Sequence, residues 1–153
     1  MNIFVAVQTD DFCHASEYNE LRKQPGCGAI VTFTGLVRDL IATELYAMTL
    51  EHYPGMTEAA LRDIAQQASQ RWQLGSVHII HRVGKLKTQD QIVFVGVTSA
   101  HRAAAFSACE FIMDYLKNRA PLWKKEHSAQ GANWVEAKHS DQDALARWQQ
   151  NVN

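Results

Sequence analysis

Two strand-like runs, Val77–Val83 and Gln91–Thr98, lie so close together that they constrain the fold more than any other feature of the chain. Both are rich in β-branched residues, and only a polar segment containing Gly84, Lys85, Lys87 and Asp90 separates them. Parallel neighbours need a crossover connection, usually a helix, and there is no room for one here, so the pairing must be antiparallel. Gly28–Val37 (GAIVTFTGLV) is a third strong strand, apolar and β-branched on both faces. Glu44–Tyr53 follows it after the connector Arg38–Thr43 and is expected to pair back onto it. Leu122–His127 and Asn133–Ala137 read as a short hairpin around Gly131, and Asn2–Gln8 as a first strand.

Helical patterns alternate with these strands. Ala15–Lys23 is short and polar and stops at Pro25-Gly26. Thr57–Trp72 places Ala60, Leu61, Ile64, Ala68 and Trp72 at helical spacing. A long helix runs from about Ala100 to Asn118, and Ser140–Trp148 closes the chain with Ser140 as N-cap. Crowded strand pairs beside amphipathic helices specify an α+β fold with a mainly antiparallel sheet and packed helices, rather than a doubly wound parallel one. At 153 residues without repeats or a linker, one domain spanning 1–153 is expected.

The charges nearly cancel, at a formal −1, which gives no bulk attraction to nucleic acid. Cys13, Cys27 and Cys109 are odd in number and irregularly spaced, so neither a disulfide framework nor a metal site is expected. Cys109 sits among Phe106, Phe111 and Ile112 and reads as a small buried hydrophobe. There is no signal-peptide pattern and no apolar run of membrane-spanning length, so a soluble, cytoplasmic protein is expected.

Chemistry concentrates in Ser99–Glu126. His101 and Arg102 open the long helix, where basic residues oppose the dipole unless an anion joins them. Near its other end, Phe106, Glu110, Met113 and Lys117 share one face, so partial burial beside Met113 and Phe106 is expected to lower the Lys117 pKa. Lys124 and Lys125 point to opposite faces of a strand, so one of them can join Lys117. Arg38, at the end of the TFTG strand, offers a planar fork suited to phosphate. Arg102 and Lys117 are fifteen residues apart, hence about 22 Å along one helix. A small ligand cannot touch both, so a shared site has to be built from two chains, as a two-fold dimer does.

With these residues in view, the sequence resembles the large, catalytic subunit of molybdopterin synthase. The matching blocks are VTFTGLVR (Val31–Arg38), LEHYPGM (Leu50–Met56), RWQLGSVHIIHRVG (Arg71–Gly84), IVFVGVTSAHR (Ile92–Arg102), FIMDYLKNRAPLWKKE (Phe111–Glu126) and WVEA (Trp134–Ala137). The resemblance implies a hammerhead-type α+β fold and a homodimeric core. A small ubiquitin-like sulfur-carrier subunit docks at each end, making a heterotetramer. It implies sulfur transfer from the thiocarboxylate on the carrier's C-terminal Gly-Gly tail to cyclic pyranopterin monophosphate, in two steps, forming the dithiolene of molybdopterin. No cofactor or metal is implied.

By the same resemblance Lys117 and Lys124 are catalytic, with Lys125 and Glu126 completing the second motif. Arg38 contacts the anionic substrate, with Leu36 and Val37 beside it, and His101 and Arg102 line the pocket of the neighbouring protomer. Phe33 and Met113 form an apolar wall beside the pterin. This chain departs from the family in three places. Leu36 stands where a basic residue is frequent and so serves the substrate only through its backbone, and Lys138 stands where arginine is familiar, a point charge replacing a fork. The connector RDLIATEL lacks the expected Gly and Asn. A non-catalytic module that docks a ubiquitin-like tail is the rival reading, and the lysine pair argues against it because one cation satisfies a tail carboxylate.

Overall fold

The computed structural model describes residues 1–38, 47–128, 131–135 and 139–150. One four-stranded sheet is built from β1 (Asn2–Gln8), β2 (Ala29–Leu36), β4 (Ser76–Arg82) and β6 (Gln91–Ser99), in the order β1-β4-β6-β2. β1 and β4 run parallel, while β4–β6 and β6–β2 are antiparallel. The second sheet has the order β5-β3-β7-β8, from β3 (Ala47–His52), β5 (Gly84–Lys87), β7 (Leu122–Ser128) and β8 (Gly131–Val135). Its neighbours are all antiparallel. With α1 (His14–Leu21), α2 (Met56–Arg71), α3 (Arg102–Arg119) and α4 (His139–Gln150), the architecture is α+β and mainly antiparallel, as expected.

β6 is buried along nearly its whole length because the first sheet is covered on both faces. Val93, Val95 and Val97 face α2 and α3 in the main core with Val77, Ile79, Leu61, Ile64, Phe111 and Ile112. Phe94 points the other way, into a smaller cluster with Ile80, Phe12 and Leu21 under α1. A third cluster, Val37, Met48, Leu50, Val83 and Leu86, joins the two sheets. Alternation along each strand thus feeds two cores from one sheet.

Three expectations require correction. The strand expected over Glu44–Tyr53 does not pair onto β2; its described part, β3, pairs with β5 and β7 in the other sheet. The polar segment after β4 holds a strand of its own, β5, in which only Leu86 is buried. Ser140 is not an N-cap, because α4 already includes His139. The connector RDLIATEL beyond Arg38 lies outside the described residues.

Candidate active site

Two register rows face each other where the sheets meet. In the first sheet, Gly35 of β2 stands opposite Val93 of β6, which stands opposite His81 of β4. In the second, Leu50 of β3 is opposite Lys124 of β7, which is opposite Val135 of β8. All six residues line one cavity of about 240 Å³, which Met113, Leu116, Lys117 and Ala120 of the α3 end also line. Phe33, Leu36, Ile92 and Leu122 make the remaining wall largely apolar, and Asp141 of α4 adds an acid.

Local chemistry explains the convergence. Pro121 cannot continue a helix and disfavours helical geometry in the residue before it. Ala120 accordingly turns extended (φ −75°, ψ 130°) while its N–H still bonds the Leu116 carbonyl at 3.3 Å. The chain therefore passes directly from Lys117 at the end of α3 into β7 and Lys124. Thr57, fully buried, fixes the junction: its hydroxyl donates to the Pro121 carbonyl at 2.9 Å and accepts from the Tyr53 N–H at 2.9 Å. Gly35 keeps the floor open, since a Cβ there would lie 2.9 Å from Val93 Cγ1 and 3.5 Å from the Phe33 ring.

Of the residues singled out in the sequence, Phe33, Leu36, Met113, Lys117 and Lys124 come together in this cavity. Lys125 points to the opposite face of β7, as expected, with its ammonium 5.5 Å from the centre of the Trp134 ring. Glu126 shares the strand face of Lys124 but lies outside the cavity wall. Val37 is engaged elsewhere: its side chain is fully buried, its N–H bonds the Asp90 carbonyl at 2.9 Å and its carbonyl accepts from Gln89 at 2.7 Å. Arg38 is exposed just beyond Leu36, outside the wall. His101 is the extended N-cap residue of α3, Arg102 the first residue of that helix, and both are exposed at the end away from Lys117. Lys138 lies outside the described residues.

Lys117 itself is exposed, so the expected partial burial beside Phe106 is not met within one chain. Phe106 is also exposed and lies outside the wall. His81, which the sequence reading missed, also lines the cavity and is buried. Burial pushes its pKa down to about 4, the Arg82 carbonyl opposing, with the charges of Lys117, Lys124 and His52 pushing the same way as burial. Cys109 is buried as expected, and burial, helped by the Glu110 charge, pushes its thiol up to about 12. Among the described residues no His, Cys, Asp and Glu side chains cluster to hold a metal, and no helix is long and apolar enough to cross a membrane.

A mostly apolar cavity with two lysines from different elements can bind an anion in a water-poor setting and exchange protons with it. Similarity to known proteins identifies the family. The family model described as MoaE protein matches residues 7–119. The molybdopterin synthase catalytic subunit of Escherichia coli is 54% identical over 145 residues, covering 94% of this chain and 97% of that protein. The solved molybdopterin biosynthesis MoaE protein of Burkholderia ambifaria is 50% identical, with a TM-score of 0.83 and full coverage of both chains. A complex of subunits 1 and 2 of the molybdopterin-converting factor of Helicobacter pylori shares the fold at 16% identity, with a TM-score of 0.68 over 90% of each chain. The chain belongs to the MoaE family, the catalytic subunits of molybdopterin synthase.

Proposed function

We propose that the Lys117–Lys124 cavity is where this sulfur-transferring enzyme of molybdenum cofactor biosynthesis moves sulfur onto its pterin. One observation carries the reading: two lysines, from the end of α3 and from β7, converge on a cavity walled by Phe33, Met113 and Leu116. The donor is the C-terminal thiocarboxylate of a small ubiquitin-like carrier subunit, and the acceptor is cyclic pyranopterin monophosphate. A Gly-Gly tail has no side chains to clash in a narrow cavity, and its anionic end pairs with an ammonium. The second ammonium is then available to activate the intermediate or transfer a proton. The apolar wall limits water that would hydrolyse the thiocarboxylate. The carrier finds support in the two-subunit assembly of the Helicobacter pylori protein.

The phosphate-bearing end of the substrate is assigned to Arg38 and to His101 and Arg102 of a second protomer, because α3 separates Arg102 from Lys117 by about 22 Å. The working unit is thus a homodimeric core with a carrier at each end, acting in the cytoplasm, where its thiols at Cys13, Cys27 and Cys109 stay reduced. A docking module without chemistry needs only one cation for a carboxylate, and the convergent pair disfavours it.

The test is formation of dithiolene product from the cyclic precursor and thiocarboxylated carrier. Lys117→Ala is expected to abolish product while leaving the thermal unfolding transition in place. Normal turnover by that variant would remove Lys117 from the chemistry. Lys117→Arg is expected to be equally inactive, because a guanidinium keeps the charge but neither attacks nor gives up a proton near neutral pH.

A further inference from the structure

His81 stands in the cavity floor, and the sulfur-transfer chemistry above gives it no task. The residue is 5% exposed. Its Nδ1 lies 2.8 Å from the Arg82 carbonyl oxygen. A carbonyl only accepts, so Nδ1 carries the hydrogen, and in the neutral ring Nε2 is left with a lone pair. Nε2 has no hydrogen-bond partner among the described residues, yet none of their buried side-chain nitrogens or oxygens is unsatisfied. Nε2 therefore reaches open space, and the open space that His81 lines is the cavity. Among the described residues, the charged and titratable groups around the ring are Lys117 from α3, Lys124 from β7 and His52 from β3, with Asp141 of α4 in the same wall.

We propose that His81 is a positioning residue: when the exposed Lys117 side chain turns inward, its ammonium donates to the open Nε2, which holds it over the cavity. Of the two lysines in the wall, Lys117 has the greater need of an anchor, being an exposed side chain at a helix end, whereas Lys124 stands in the middle of a strand row. An ammonium on a four-carbon stem is a rotating point charge with three donors, and an acceptor in the floor selects one orientation. Burial, with the surrounding positive charges pushing the same way, keeps the imidazole neutral, so it accepts from an ammonium instead of repelling it.

The kinetic part of the test rests on the sulfur-transfer reading; the spectroscopic part does not. In His81→Asn the amide nitrogen replaces Nδ1 and keeps the Arg82 bond, but nothing reaches the Nε2 position. In His81→Gln the amide supplies an acceptor there. His81→Asn is expected to lower kcat by about 10- to 100-fold, the worth of a hydrogen bond to a charged group, with little change in KM, and His81→Gln to recover most of the loss. Equal kcat in both variants and wild type, or a loss confined to KM, would overturn the assignment. Nitrogen-15 NMR of the wild-type protein is expected to show His81 neutral with hydrogen on Nδ1. The Lys117 side-chain ammonium resonance should move in His81→Asn and return in His81→Gln. Hydrogen on Nε2, or a Lys117 resonance indifferent to His81→Asn, overturns the proposal even if the wild-type enzyme forms no dithiolene, a result that would sink the sulfur-transfer reading alone.

Discussion

His81 carries its burial into the pH dependence of folding. Its pKa is about 4 in the folded chain against an ordinary 6.5. Between those values the unfolded chain binds the extra proton, so stability falls as pH drops from 6.5 towards 4, and the penalty is complete below 4. At 1.36 kcal/mol per unit this amounts to about 3 kcal/mol. Urea unfolding at pH 7 and pH 4.5 should show wild type losing roughly 2–3 kcal/mol more than His81→Asn. Equal losses would mean that the folded state does not hold a neutral ring. The two lysines of the cavity were legible in the sequence because helix phase and strand alternation placed them. His81 was not, since it sits, like His78, within the mostly apolar run Ser76–Arg82 and has the pattern of a core residue. Only its register opposite Val93 brings it to the site, and register belongs to the folded sheet.

Elements show the same boundary between local and non-local information. Local chemistry fixed α2, α3 and β6 to within a residue or two, through helical periodicity, the Pro121 stop and β-branched runs. Strand partners were harder to read. β3 lies closest in sequence to β2, but its partners β5 and β7 come from later in the chain, and alternation specifies a face without naming a neighbour. β5 escaped notice because Lys85 and Lys87 flank a single buried Leu86. The two-sided burial of β6 yields a prediction about the α1 layer. A Cβ on Gly96 would collide with Leu21 Cδ1 and stand 3.0 Å from the Phe94 ring, so Gly96→Ala must displace the buried Leu21 side chain beneath α1. Overpacking of this kind costs about 1–3 kcal/mol, readable as a lower urea midpoint with unchanged slope. Leu21→Ala removes the clashing methyl, so the double variant should lose less than the sum of the single losses. Strict additivity would show that the two residues do not touch.

At the scale of the whole molecule, the decisive quantity is the length of α3. The helix runs from Arg102 to Arg119, putting the His101–Arg102 pair at one end and the lysine cavity at the other. The proposed two-fold arrangement makes each active site from the start of one α3 and the end of its partner's. Arg102→Ala and Lys117→Ala then damage opposite contributions to a shared site. Each homodimer is inactive at both of its sites. A mixed dimer concentrates both defects in one site and leaves the other intact. Random reassociation of equal amounts gives half mixed dimers, each with one working site of two, so activity should recover to about a quarter of wild type. The experiment mixes the two purified variants under conditions that exchange subunits, adds carrier and precursor, and follows dithiolene product against time. Recovery on mixing requires residues from two chains at one site, because neither variant contains a complete set of its own. If the mixture stays as inactive as its components after exchange is shown by mass, each site is contained in a single chain. Arg102 would then have to act on something other than the ligand of the Lys117 cavity, since one helix keeps them about 22 Å apart.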